Sequence, residues 1–571
     1  MKIIFRYLKP FRGRMALGFC IKAGGTMVEL MLPYILSHIL KNVVSSERIG
    51  DILLWGALMV LCSGVACLCN ILANRMAARV SSNFSEHMRK DLFARTLALS
   101  AAQTDRFTIP SLESRITTDT YHVHSFVGMM QRMGVRAPIL LMGGIAITLV
   151  MDAYLALVMI AILPFIFLVV YCVSRKGVPL YAKVQQSVDR MVRVVREDAQ
   201  GIRVIKALSK NDYENRRYDK ANQGLSHDER HAGTVMGVVN PVMTLLMNCG
   251  ITAVVALSAS RVAGHRSDPE TVIAFMQYLT LISMAMMSVS RIFVMYTKCA
   301  ASARRISEVI ESSDELLVQT LPSAPTSAHI TFEQVDFSYT GRHKHLENID
   351  FSLPRGGSLG IIGATGSGKS TIVKLLLRFY DVTGGRILID GRDLRTFDRQ
   401  ELSKLFGVAL QSDFLYADTI EENIRFGRDL SFEEIKRAAT VAQADDFITA
   451  FSDGYRHMLS PKGTNLSGGQ KQRLLIARAI AGDPDVLILD DSSSALDYKT
   501  DANLRAALRE QMKNSTVVTV AQRVSSVKHC DVILVLEHGC VIGKGTHEEL
   551  LESCPAYREI SDSQMGGAFV E

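Results

Sequence analysis

None of the ten cysteines stands at the C-x-x-C spacing of a zinc site. Cys62, Cys67 and Cys69 fall inside an apolar run, where a free cysteine behaves as a small hydrophobe. This scatter excludes a disulfide framework and predicts reduced thiols. His122 and His124 have no metal-ligand partners nearby in sequence and are expected at the surface. The basic N-terminus is not followed by a short apolar core with a small-residue cleavage site. The run that follows is long and carries Lys22 and Glu29, so a retained span is expected, not a signal peptide. No proline interrupts residues 52–99, and no internal duplication is found.

A chain of 571 residues exceeds one hydrophobic core, so at least two domains are expected. Its hydrophobic content of 48% and mean hydropathy of +0.17 fall between a soluble enzyme and a wholly embedded transporter. A membrane half and a soluble half account for that value. The net charge is +7 and the pI about 8.8. Basic residues gather at the ends of apolar runs: Lys2, Arg6, Lys9, Arg12 and Arg14, then Arg75 and Arg79, then Arg175 and Lys176. That placement points to a cytoplasmic membrane surface and away from nucleic acid.

Six apolar stretches reach the ~20 residues that a bilayer requires. They lie near 15–40, 52–74, 133–151, 154–174, 234–260 and 271–297. Only Asp152 and Ala153 separate the third from the fourth, which predicts a tight hairpin. An even number of spans leaves the N-terminus, 75–132, 175–233 and the C-terminal half on the cytoplasmic side. Val80, Phe84, Met88 and Leu92 recur every four residues, a helical stripe. A helix over 52–99 would be about 70 Å long against a ~30 Å hydrocarbon core, so it projects into the cytoplasm. Phe107–Asp119, with Pro110, is expected to turn at its far end. A second projection over 181–231 is expected to have Asp212–Tyr218 near its tip. Both are read as rods that contact another domain.

Residues 311–328, rich in Ser, Pro, Thr and acidic side chains, read as a linker. Beyond them β-type runs (Ile330–Phe337, Gly360–Ile362, Arg386–Ile389, Val486–Leu489, Thr516–Val520 and Val532–Leu536) alternate with helical segments. The expected fold is therefore multidomain: an all-α six-helix membrane domain with long cytoplasmic extensions (1–310), then an α/β P-loop domain with a mostly parallel core sheet (329–571).

Chemistry enters at Gly363-Ala364-Thr365-Gly366-Ser367-Gly368-Lys369-Ser370, placed between a strand and an apolar helix. Glycines let the backbone amides converge on phosphate, and the helix N-terminus adds positive potential. Lys369 is expected to reach the β- and γ-phosphates, and the Ser370 hydroxyl to ligate Mg²⁺. Val486-Leu487-Ile488-Leu489-Asp490 reads as a buried strand ending in a Mg²⁺-holding carboxylate, the Walker B arrangement. Between the two stands Leu466-Ser467-Gly468-Gly469-Gln470-Lys471-Gln472-Arg473.

With that LSGGQKQR segment the chain resembles ABC ATPases, and over essentially its whole length the exporter type with six helices ahead of one ATP-binding domain. The resemblance implies ATP and Mg²⁺ as ligands. Nucleotide contacts would come from Gly363, Thr365, Gly366, Ser367, Gly368, Lys369, Ser370 and Thr371, with Tyr339 stacked on adenine. Gln411 would be the Q-loop residue linking Mg²⁺ to the membrane domain, beside the metal ligands Ser370 and Asp490. Ser494-Ala495-Leu496-Asp497 would form the D-loop. Two such domains close head to tail, so Ser467, Gly468, Gly469 and Gln470 would serve the ATP of a second exporter half. The rods would be coupling helices.

Two positions depart from the family. Asp491 occupies the place of the general-base glutamate, on a stem shorter by ~1.5 Å. Reach to the attacking water tolerates only about 2.6–3.2 Å, and losing a base costs about 10²–10⁴ in rate. Gln522 stands where the switch histidine belongs and cannot carry an imidazole's proton. Ser460-Pro461-Lys462 replaces a segment that is often acidic. The pattern resembles the degenerate-site subunit of bacterial heterodimeric multidrug exporters, whose partner keeps the glutamate and histidine. An active homodimer with drifted residues is the other reading.

In the membrane half, Lys22 and Glu29 lie on roughly one helix face. Lys22 either lines a substrate path, snorkels or pairs with Glu29. Met276, Met284, Met286, Met287 and Met295 give the sixth span a flexible surface that suits varied apolar ligands or ordinary packing equally. The expected activity is ATP-driven export of hydrophobic or amphipathic compounds from a bacterial cell membrane, in contact with lipid. A lipid or peptide exporter and an ATP-gated channel or regulatory subunit are the alternatives, although no peptidase-like extension points to peptides.

Overall fold

The computed structural model describes residues 1–44, 48–263, 269–313, 316–324, 326–411, 414–492 and 494–565. Contacts divide the chain into two units, Met1–Ala98 with Phe107–Ser312, and Leu99–Arg106 with Ser313–Glu571.

The first unit is built from helices α1 (Lys2–Leu8), α2 (Arg12–His38), α3 (Ile49–Ala98), α5 (Ile109–Ser114), α6 (Thr120–Met151), α7 (Ala153–Ala207), α8 (Asn211–Gly237), α9 (Val239–Ala263) and α10 (Pro269–Ile310). The short α4 (Ala101–Phe107) lies almost wholly in the second unit. With no proline to break it, α3 runs for 50 residues, about 75 Å. Its stripe is real: Val80, Met88 and Leu92 are buried and Phe84 is 0% exposed. Among the described residues, five helices are long and apolar enough to cross a membrane. The expected span at 154–174 appears as the apolar stretch Ala153–Val169 within α7. Asp152 makes the hairpin before it, accepting hydrogen bonds from the Tyr154 and Leu155 amides as the N-cap of α7. Leu30, Leu140, Met159, Phe275, Tyr278 and Ile282 form the core of this unit. The Tyr278 hydroxyl is satisfied there by the Leu30 carbonyl at 2.7 Å.

Several local expectations need correction. Residues 107–119 are helical, comprising α5 and a π-turn at Arg115–Asp119; the break after α3 falls at Leu99 and Ser100 instead. Ser100 and Gln103 cap each other there, with each side chain bonded to the other's amide. In the second projection the reversal is Leu208–Lys210, and Asp212–Tyr218 forms the first turns of α8. Lys22 does not pair with Glu29. It is 4% exposed and donates to Asn70 at 2.6 Å and Asn74 at 3.2 Å on α3, while Glu29 accepts from Arg136 on α6 at 2.5 and 3.2 Å. A span packed among neighbours partners its charges between helices, not along one. His122 and His124 are half-buried, bonded to the Ser302 hydroxyl and the Ser81 carbonyl, and are not surface residues. Among the described residues no cluster suits a metal ion. Of the sixth-span methionines, Met276 and Met284 are exposed.

In the second unit a six-stranded sheet has the order β10-β9-β3-β8-β7-β6, and a four-stranded antiparallel sheet the order β2-β1-β4-β5. The strands are β1 (Ile330–Phe337), β2 (Leu346–Leu353), β3 (Ser358–Gly363), β4 (Gly384–Ile389), β5 (Arg392–Asp393), β6 (Phe406–Ala409), β7 (Val486–Asp490), β8 (Thr516–Val520), β9 (Val532–Glu537) and β10 (Cys540–Gly545). Every pairing in the larger sheet is parallel except β9 with β10. The β-type runs read from sequence correspond to β1, β3, β4, β7, β8 and β9. Strands β2, β5, β6 and β10 have no counterpart among those runs, because they are interrupted by polar residues, only two or four residues long, or half-exposed. Residues Leu99–Arg106 are held in this unit by Gln103, which donates to the Ser313 carbonyl at 2.7 Å, and by Asp105, which accepts from Tyr380 at 2.6 Å.

Replacing Phe84 with alanine in the buried stripe is expected to cost about 3–5 kcal/mol. Thermal unfolding of the detergent-purified protein should show a clear fall in Tm, and an unchanged Tm would mean that the stripe is not packed.

Candidate nucleotide site

Strand β3 delivers the chain into the loop 363–370 at the carboxyl edge of the parallel sheet, where open α/β folds gather their ligands. Gly366 and Gly368 have φ of +83° and +104°, conformations that side-chain-bearing residues rarely adopt. A Cβ on Gly368 would also lie 2.7 Å from Leu346. The helix Lys369–Leu376 starts directly after this curl. Lys369 folds back over the loop and donates to the Gly363 and Ala364 carbonyls, both at 2.8 Å.

A cavity of about 210 Å³ opens here, lined by His345, Thr365, Gly366, Gly368, Lys369, Ser370, Thr371, Gln411, Asp490, Asp491, Val520, Ala521 and Gln522. Asp490 ends β7 and is 5% exposed. Burial raises its pKa and the neighbouring Asp491 raises it further, while a hydrogen bond from Ser370 and the Lys369 charge oppose them. Asp491 follows it with φ of +51° and also lines the cavity. Burial raises its pKa as well, against the Gln522 hydrogen bond and Lys369. Its Oδ2 accepts from Gln522 Nε2 at 3.0 Å and Gln411 Nε2 at 3.4 Å. Burial lowers the Lys369 pKa despite both aspartates. Two carboxylates and one ammonium leave a net negative cluster, suited to a divalent cation accompanied by phosphate.

The structure thus brings together the loop residues, Gln411, Asp490, Asp491 and Gln522. Tyr339 stands beside the cavity, its hydroxyl 3.3 Å from Thr371 Oγ1. The ring is 38% exposed and meets Phe337, His345 and Tyr380 edge-on, with Lys374 Nζ 5.5 Å from its centre. Ser467, Gly468, Gly469 and Gln470 are not among the lining residues. They form the start of the helix Gly468–Ile480, where Ser467 and Gln470 make a reciprocal capping box. An added Cβ on Gly469 would lie 3.2 Å from the Ala495 carbonyl, so the signature packs on the segment 494–497. In Ser460-Pro461-Lys462, Lys462 has φ of +63° in a single tight turn.

Two residues at the site were not found from sequence. His345 lines the cavity. Gln564 donates to the Gln522 carbonyl at 2.9 Å from 42 residues downstream, and nothing local in sequence signals that contact.

Comparison with known proteins bears on the whole chain. The profile of the ABC transporter transmembrane region matches residues 15–286, and the ABC transporter profile matches residues 346–494. An uncharacterized ABC transporter ATP-binding protein of Mycobacterium tuberculosis is 31% identical over 578 residues, covering 100% of this chain and 99% of its own. The mitochondrial potassium channel ATP-binding subunit of Rattus norvegicus is 30% identical over 580 residues, covering 98% of this chain and 80% of its own. In fold, the chain is similar to a bacterial Atm1-family ABC exporter solved with ATP bound, with a TM-score of 0.82, 24% identity and coverage of 97% of this chain and 98% of that one. The chain belongs to the ABC transporter family, as an exporter-type integral membrane protein whose transmembrane domain is fused to an ABC ATP-binding domain.

Proposed function

We propose that this chain is one half of a heterodimeric exporter of hydrophobic or amphipathic compounds, and that its own P-loop site binds Mg-ATP but hydrolyses it slowly. The observation that carries this reading is the state of Asp491. Its stem is short, and its Oδ2 already accepts hydrogen bonds from two carboxamides, Gln522 and Gln411. Both bonds favour the charged carboxylate, and neither donor can take up a proton itself. A general base must reach water, and this short carboxylate, its Oδ2 already engaged by two donors, is poorly placed to do so.

The binding groups are complete. Lys369, the amides of Gly363, Thr365, Gly366, Ser367 and Gly368, and Thr371 would hold the phosphates, and Tyr339 would stack on the base. Ser370, Asp490 and Gln411 would hold Mg²⁺; the buried, charge-crowded Asp490 with Ser370 bonded to it fits a divalent cation. Such an ion neutralises the β- and γ-phosphate oxygens when bound. The segment Ser467–Gln470, exposed at Ser467 and Gly468 and not part of the lining of the chain's own cavity, would complete the site of a partner that carries the glutamate and histidine. Val192, Val195, Ile202, Val204 and Leu208 are exposed along the α7–α8 hairpin, apolar surface in keeping with a second half. The proposed arrangement is a membrane domain at 1–310, a linker at 311–328 and an ATP-binding domain at 329–571, the last cytoplasmic in a bacterial cell membrane.

The chain purified alone is expected to show little ATPase activity, and co-purification with its partner half to restore it. Turnover by the chain alone at rates ordinary for exporters would replace this reading with an active homodimer, and passive ion current without ATP-coupled accumulation in vesicles would replace it with a channel.

In the heterodimer, Ser467→Arg should abolish turnover, because it blocks the partner's site, while Asp491→Asn should lower it less than about threefold, far short of the 10²–10⁴ for a working base. Equal and complete loss in both variants would contradict the assignment. Asp491→Glu combined with Gln522→His should raise ADP formation at the Lys369 site, measured by trapping nucleotide at each site.

A further inference from the structure

The switch segment leaves β8 at Val520 and enters a single helical turn, Val524–Val527. The first amides of a helix have no acceptor within it. Here the Val524 amide donates to Gln564 Oε1 at 2.8 Å, and Gln564 Nε2 donates to the Gln522 carbonyl at 2.9 Å. One side-chain carboxamide thus grips the backbone on both sides of Arg523. The Gln522 side chain in turn donates to Asp491 at 3.0 Å.

Gln564 comes from the C-terminal helix Pro555–Met565. Tyr557 (0% exposed), Ile560 and Ser561 seat that helix, and Gln564 follows them at helical spacing on the same face. The core they enter is shared with Ile362 of β3 and with Ala521, Val524 and Val527. The helix therefore rests on the same packing that supports the P-loop strand and the switch, and Gln564, itself exposed, stands about one turn past that buried face, where the switch backbone needs a donor and an acceptor.

We propose that Gln564 is a positioning residue for the nucleotide site: by clamping the backbone from Gln522 to Val524 it keeps Gln522 on Asp491, and so sets how long nucleotide stays at this chain's P-loop. This rests on the reading of the Lys369 site given above. No contact between Gln564 and nucleotide is required.

The test uses the purified exporter dimer and radiolabelled Mg-ATP, following release from the Lys369 site. Gln564→Ala removes both bonds and is expected to shorten retention about fivefold. Gln522→Ala should have a similar effect, and the double variant should be no faster than either single one, because Gln564 acts through Gln522. Ser563→Ala, on the neighbouring exposed position, should leave retention unchanged. Gln564→Glu keeps an acceptor for Val524 but loses the donor to Gln522, so it should also shorten retention with the helix still docked; it carries the test if the alanine variant does not fold. Additive effects of the two alanine substitutions, or a lowered Tm with unchanged retention, would overturn the proposal. Rapid ADP formation at this site in the parent dimer would reject the impaired-site reading alone. The clamp is then judged by hydrogen exchange at the Val524 amide without nucleotide, which should quicken about tenfold in Gln564→Ala; unchanged exchange would overturn it.

Discussion

Two adjacent carboxylates at the end of a buried strand impose the constraint that organises the ATP-binding half. Asp490 and Asp491 cannot both stay ionised in a dry environment without compensating positive charge. The chain supplies only part of it. Lys369 lies close enough to act on both, and Ser370, Gln411 and Gln522 add hydrogen-bond donors. The parallel strands β3, β7 and β8 make this possible because their carboxyl ends converge, which places a phosphate-shaped backbone curl opposite the acids. The remaining negative charge would suit a divalent cation.

The membrane half answers a different constraint. Inside a bilayer every backbone polar group must be satisfied within its own element, so the chain crosses as helices and extends them far beyond the apolar slab. Intramembrane charges follow the same logic. Lys22 is held by two asparagines of α3, and Glu29 by Arg136 of α6, so each charge ties a pair of helices together. Such buried polar links are better regarded as registry devices than as large sources of stability.

The altered Asp491 and Gln522 are joined by a hydrogen bond, which gives their co-occurrence a physical sense. Gln522 meets the Asp491 carboxylate with a neutral donor, and the helix Pro555–Met565 holds the Gln522 backbone through Gln564.

The sequence by itself determined what depends on local chemistry and periodicity. Apolar run length marked the membrane half, the four-residue stripe of Val80, Phe84, Met88 and Leu92 marked a long helix, and GATGSGKS between strand and helix marked the loop that curls around Lys369. Asp491 and Gln522 were legible as departures because the signature segment set the frame for reading them. Tertiary structure alone decided what depends on residues far apart in the chain. The pairing of Lys22 with Asn70 and Asn74, the half-buried settings of His122 and His124, the antiparallel second sheet, the bridge from Gln522 to Asp491 and the grip of Gln564 all join elements that sequence spacing does not relate. A hydrogen bond needs two groups within about 3 Å, and when dozens of residues separate them only the packing of whole elements brings them there.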